Sequence, residues 1–142
     1  MNGITINDLR VGQSADFSKT ILDNDIYTFA GITGDFNPAH VNEEYSKGSQ
    51  FGGRICHGML SAGLISTVIG MQLPGPGTVY LGQNLKFVAP VYPGDTITAT
   101  VSVKSIDKTK NRIVLDTVCT NQKGETVLVG EAKVMPPASS AA

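Results

Sequence analysis

Between Arg54 and Lys86 the chain carries no Asp, Glu, Lys or Arg, while both flanks are ordinary mixed surface sequence. A stretch of that length without charge marks the core around which the rest must fold. Its first half, His57-Gly-Met-Leu-Ser-Ala-Gly-Leu-Ile-Ser-Thr-Val-Ile-Gly-Met71, is apolar or small on every helical face, which predicts a helix enclosed all round by protein. The segment is too short and too rich in Gly and Ser to span a membrane. Pro74-Gly75-Pro76-Gly77 ends it, and the hydrophobic period then changes from about 3.6 to 2.

The second half therefore reads as β. Over Thr96 to Lys104, Ile97, Ala99, Val101 and Val103 alternate with polar residues, so one face packs and the other meets water. Arg112 to Thr120 and Thr126 to Met135 form two more strands, joined by the polar turn Asn121 to Glu125, in which Gly124 takes a positive φ. A strand from Thr78 to Val88 precedes them, and Pro93-Gly94-Asp95 turns the chain between. Ahead of the core helix, Ile26, Phe29, Ala30 and Thr33 recur at helical spacing after an Asp23 cap, with Gly34 as the stop. The sum is an α+β fold in which one long apolar helix is wrapped by a curved antiparallel sheet. It forms one domain over residues 1–142, with an ordered core over about 6–135 and a frayed tail over 136–142. Such a sheet leaves edge strands and apolar surface that favour a second copy, so a homodimer is expected.

Composition excludes several roles. Eleven basic against twelve acidic residues, a formal net charge of −1, give no basic footprint for nucleic acid. No run of about 20 apolar residues spans a membrane, and Met1-Asn2-Gly3-Ile4-Thr5 opens without a cationic then apolar leader, so a cytoplasmic protein is expected. Cys56 and Cys119 are too few for a disulfide scaffold and are read as reduced and buried. The Gly75-Pro-Gly-Thr78 stretch lacks the Lys of a phosphate-binding loop, and no dinucleotide fingerprint follows a strand.

Two constellations carry chemistry. In Phe29 to His40 (FAGITGDFNPAH), Asp35 and His40 lie five apart across an Asn-Pro turn that can aim both side chains at one point. A carboxylate beside an imidazole is suited to activating water and moving a proton near neutral pH. The plainer alternative has Asp35 capping a turn, Asn37 making an Asx turn before Pro38, and His40 bonding a backbone carbonyl. In Arg54-Ile-Cys-His-Gly-Met59, the amides near Gly58 open the core helix and can hold a developing oxyanion. Alternatively, Gly58 is small because the sheet packs on it. Ser61 and Ser66 are helix hydroxyls outside any nucleophile elbow. Asp35, His40, Cys56 and His57 are possible metal ligands, but their spacings match no zinc or iron pattern, so no metal is expected.

These residues resemble the MaoC-like, R-specific enoyl-CoA hydratases of the hot-dog fold. The resemblance rests on Gly34-Asp35-x-Asn37-Pro38-x-His40 with Ser46 six residues on, on Phe51-Gly-Gly-Arg-Ile-Cys-His-Gly-Met59 and on Val91-Tyr-Pro-Gly-Asp95. It runs from about Ile6 to Met135, with Ala39 and Cys56 as mild departures that leave the acyl pocket's shape open. It implies a hydro-lyase in which Asp35 and His40 add one water syn across a trans-2-enoyl-CoA, giving an R-3-hydroxyacyl-CoA, while the Gly58 N–H holds the thioester oxygen. Asn37 and Ser66 would support the pair. Coenzyme A belongs to the acyl-CoA substrate, so no cofactor is implied, and Arg54, Lys47 and Lys86 are cations its phosphates could meet. A 3-hydroxyacyl-acyl-carrier-protein dehydratase, a hot-dog thioesterase and a non-catalytic acyl-thioester binder are the alternatives.

Overall fold

The computed structural model describes residues 2–138. Strand β1 (Ser14–Thr20) leads into α1 (Asp23–Thr33), two short helices α2 (Pro38–Val41) and α3 (Glu43–Lys47), and the core helix α4 (Gly58–Met71). Strands β2 (Val79–Gln83), β3 (Lys86–Phe87), β4 (Thr96–Asp107), β5 (Arg112–Thr120) and β6 (Thr126–Met135) follow. All pairings are antiparallel in the order β1-β4-β5-β6-β2, with β3 also on β6. Helix α4 packs across β1, β4, β5 and β6. Ile65, Val68 and Ile69 meet Ile97, Val101, Leu115 and Leu128 in one continuous core. Each such side chain contributes about 1.5–3 kcal/mol on burial.

The alternation in β4 holds as read, with Ile97, Ala99, Val101 and Val103 all buried. The strand continues past Lys104 because a bulge between Val103 and Ser105 inserts one residue against β5. The inward parity changes there, and Ile106 joins the core from an even position. The expected strand from Thr78 to Val88 is divided into β2 and β3. Asn84 sits at the break, its N–H donating to the Glu131 carbonyl and its Oδ1 accepting the Glu131 N–H. Gly130 leaves room for this crossing, since a Cβ there would collide with the Asn84 carbonyl.

The start of α1 also differs from the reading. Leu22, not Asp23, is the N-cap; Asp25 at the third helical position takes the Leu22 N–H at 2.8 Å, and Lys19 pairs with it. Strand β1 and helices α2 and α3 lay outside the sequence reading. The inward residues of β1, Ala15, Phe17 and Lys19, are only half-buried, so its hydrophobic pattern is weak.

Helix α4 is not enclosed on all sides. Met59, Gly63, Ser66 and Gly70 form an exposed stripe, and nothing lies within 4 Å of a Cβ built on either glycine. These residues are small or unbranched, so the segment reads as buried although the single chain covers only part of it. Both cysteines are free and buried. No helix among the described residues is long and apolar enough to cross a membrane. Of the tail expected to fray over 136–142, residues 139–142 lie outside the described residues, while the Pro136 carbonyl is held by the Asn111 side chain at 3.0 Å.

Candidate active site

The loop that carries Asp35 is fixed from α1 outward. Gly34 ends the helix at φ +82°, a left-handed conformation that suits glycine, and its N–H donates to the Ala30 carbonyl at 2.8 Å. Thr33 Oγ1 donates to the Phe29 carbonyl and accepts the Asp35 N–H at 3.1 Å. Asp35 Oδ1 accepts the Asn37 N–H at 3.2 Å, and the Asn37 side chain caps α2 by accepting the Ala39 N–H at 3.0 Å. Asn37 therefore bonds Asp35 through its backbone, while its side chain shapes the turn.

One turn on, His40 Nδ1 lies 2.7 Å from the Ile55 carbonyl oxygen. A carbonyl only accepts, so Nδ1 carries the proton and Nε2 keeps a lone pair. The segment bearing Ile55 clamps α2: the Ile55 N–H donates to Ala39, and Arg54 reaches the His40 carbonyl at 3.4 Å. Buried Ser46 holds α2 from the other side through the Pro38 and Ala39 carbonyls.

All three parts of the plainer alternative are realised: Asp35 takes a turn N–H, Asn37 Oδ1 accepts the Ala39 N–H, and His40 meets a carbonyl. They fix the groups without consuming them, since Asp35 stays 49% exposed and His40 keeps Nε2. A carboxylate oxygen of Asp35 and ring nitrogens of His40 and His57 all lie within 4.8 Å of one another. That gap suits one water hydrogen-bonded at about 2.8 Å to each partner.

His57 completes the cluster; from the sequence it reads only as a possible metal ligand, not as a partner of Asp35 and His40. Its Nε2 lies 2.9 Å from the Asp35 carbonyl oxygen, so that nitrogen is a donor, and its ring stacks on His40 at 3.9 Å between centroids. With His57 Nε2 protonated, the lone pairs near the carboxylate reduce to His40 Nε2, a set that fits a water better than a shared metal ion. The signal in the sequence was a lone imidazole inside the uncharged run.

Gly58 begins α4, and the His57 cap supplies no side-chain bond to the first turn. Gly58 and His40 line one cavity of about 400 Å³ with Phe51, Val88, Val127 and Leu128. The packing reading of Gly58 also holds, because Phe87 lies directly over it. Ser66 stands on the exposed stripe of α4 and makes no hydrogen bond to Asp35 or His40. Of the three cations, Arg54 is held by Asp23 and Glu43, and Lys47 by Glu44; Lys86 sits on the exposed strand β3. Bonding to Asp23 raises the Arg54 pKa above its ordinary value.

A curved antiparallel sheet around one helix defines a hot-dog protein, and a carboxylate, an imidazole and a helix amide gather at one end of it. The chain belongs to the MaoC-like domain family, which it matches over residues 7–124. It is 54% identical over 131 residues to the (R)-specific enoyl-CoA hydratase of Rhodospirillum rubrum, covering 92% of this chain and 90% of that protein. A 3-hydroxybutyryl-CoA dehydratase from Methylorubrum extorquens is 46% identical, covering 92% of this chain and 82% of that one. The unliganded R-hydratase PhaJ1 of Pseudomonas aeruginosa superposes with a TM-score of 0.91 at 43% identity, covering 96% of this chain and 88% of its own.

Proposed function

We propose that the protein is an R-specific enoyl-CoA hydratase, adding water syn across a trans-2-enoyl-CoA to give the R-3-hydroxyacyl-CoA. The observation that carries this reading is the gathering of Asp35 and His40 ring and carboxylate atoms within 4.8 Å, beside a cavity shared by His40 and Gly58. His40 Nε2, left unprotonated by the bond to Ile55, accepts a proton from the water as its oxygen bonds C3. The Asp35 carboxylate holds the same water. As that bond forms, the C2=C3 π pair shifts towards C1 and negative charge develops on the thioester oxygen, where the Gly58 N–H meets it; a proton returned by the pair to C2 completes the addition. A donor of this kind typically lowers the barrier by about 3–4 kcal/mol, and positioned acid–base groups give about 10²- to 10⁴-fold.

The relative named as a dehydratase supports the same chemistry run in reverse. No further cofactor is needed, because coenzyme A arrives with the substrate. Two buried free thiols fit a reducing cytoplasm. The exposed stripe of α4 and the unpaired edge of β2, with Val79, Tyr80 and Leu81 exposed, support a homodimer. The test is loss of enoyl-thioester absorbance with crotonyl-CoA, with chiral analysis of the product. Wild type yields the R alcohol, and folded Asp35→Asn and His40→Ala each lose most of the rate; an inert wild type rejects the reading.

A further inference from the structure

We propose that His57 is a positioning residue for the water-handling pair, holding Asp35 by one hydrogen bond and the plane of the His40 ring by stacking. This rests on the assignment of Asp35 and His40 to that pair. His57 is 1% exposed and caps α4 without bonding its first turn, so helix capping does not account for an imidazole here. Its ring lies between Phe29, at 4.7 Å between centroids, and His40, at 3.9 Å and a 31° tilt. Its Nε2–H donates to the Asp35 carbonyl, on the peptide that carries the carboxylate.

The opposite edge of the ring shows that this placement is not optimised for stability. Nδ1 is buried and has no hydrogen-bond partner. A buried acceptor left unpaired is costly, and a phenylalanine ring, though larger, would stack here without that cost. The imidazole has one feature phenylalanine lacks: a donor aimed at Asp35. Stability is given up for the position of a reacting group, as at other functional sites. His40 and His57 carry their protons on opposite nitrogens, Nδ1 facing Ile55 in one and Nε2 facing Asp35 in the other. A backbone carbonyl thus sets each tautomer, and for His40 it does so only while the stack on His57 keeps its Nδ1 turned to Ile55.

Two substitutions separate the two contacts. His57→Phe keeps the stack and loses the donor; His57→Gln can keep a donor and loses the ring. Both are expected to lower kcat on crotonyl-CoA by about 10- to 100-fold, the effect of a small misplacement at a reacting centre, with KM held within about twofold. The melting temperature of His57→Phe stays close to that of wild type, the unpaired acceptor removed offsetting the larger ring and the lost donor. A role confined to packing gives the reverse: a lower melting temperature and an unchanged kcat, which overturns the proposal. The chain has only two histidines, so ring ¹⁵N spectra are readily assigned. They are expected to show Nδ1–H at His40 and Nε2–H at His57, and to show the His40 tautomer mixing in His57→Gln. A His57 proton on Nδ1, or an unaltered His40 spectrum in His57→Gln, also overturns it. The spectra decide the point even if wild type hydrates nothing, an outcome that rejects the proposed reaction separately.

Discussion

The ring of Phe87 lies so close over Gly58 that a Cβ on the glycine would stand 2.6 Å from Cε1 and 2.8 Å from Cδ1. Gly58 thus answers to packing and, in the proposed reaction, to the oxyanion at once. Phe87 is 50% exposed on a two-residue strand, so its ring can swing away, and in Gly58→Ala the clash of about 1–3 kcal/mol is partly offset by alanine's helix propensity. The displaced ring and the new methyl both stand at the mouth where the thioester must approach. Gly58→Ala is therefore expected to lose about 10²-fold in kcat with a modest fall in melting temperature. Adding Phe87→Leu should restore the melting temperature and leave the rate low. Full activity in Gly58→Ala would show that a methyl beside the amide leaves the thioester room to approach.

Arg54 joins three segments: Asp23 at 2.8 Å, Glu43 at 3.0 Å and the His40 carbonyl. It also lies over the Tyr27 ring at 5.6 Å from the centroid. The carboxylates are half-exposed and well solvated, which discounts the ion pairs themselves, so the main loss in Arg54→Met is the fork of donors that aligns α1, α3 and α2. We expect a destabilisation of about 1–2 kcal/mol in the urea midpoint, together with a lower kcat. Arg54→Lys should recover little of either, since one ammonium cannot span both carboxylates. A lysine variant equal to wild type would reduce the role of Arg54 to charge alone.

How much was legible in the sequence follows from which signals were local. The core helix, β5, β6 and the inward face of β4 were legible because each rests on a hydrophobic period within its own segment. The break at Asn84 and the bulge after Val103 depend on a neighbouring strand, and no period records them. Asp35, His40 and Gly58 were legible through a motif, and the structure brings them to one end of the fold. The role of His57 was not, because its contacts with Asp35 and Phe29 span 22 and 28 positions of the chain. Ser66 was carried by resemblance, and on the exposed stripe of α4 it makes no hydrogen bond to the pair.

For the proposed homodimer, the unpaired edge of β2 offers the sharpest test. Leu81 is 48% exposed there, and a two-fold interface would bury it twice. Leu81→Lys then loses at least about 1.5–3 kcal/mol of association, the half of a leucine left to bury in each copy, and adds the cost of burying two ammonium groups, so the dimer weakens by more than about 10-fold. Sedimentation velocity should find a dimeric wild type and a monomeric variant at micromolar concentration. A monomeric wild type would end the dimer reading.

Burial pushes the thiols of Cys56 and Cys119 up to about 12 from an ordinary 9.0, Asp95 adding to the effect at Cys56. The folded value lies above the unfolded one, so the protonated thiols favour folding fully below pH 9 and progressively less as pH rises towards 12. In that window each thiol removes up to about 1.4 kcal/mol of folding stability per pH unit. Tyr80 is exposed along part of its ring at the β2 edge, but partial desolvation of its hydroxyl pushes it up to about 12 as well and acts in the same direction, so the cysteine share needs a variant to isolate it. Cys119 is the cleaner choice, since it is fully buried and its thiol contacts only the Ser61 carbonyl at 3.7 Å among the hydrogen-bond partners described. The urea midpoint of Cys119→Ala should start lower than wild type at about pH 8, through the lost volume, and fall less steeply towards about pH 10.5. Parallel slopes for the two proteins would mean that the Cys119 thiolate forms as easily in the folded chain as in the unfolded one.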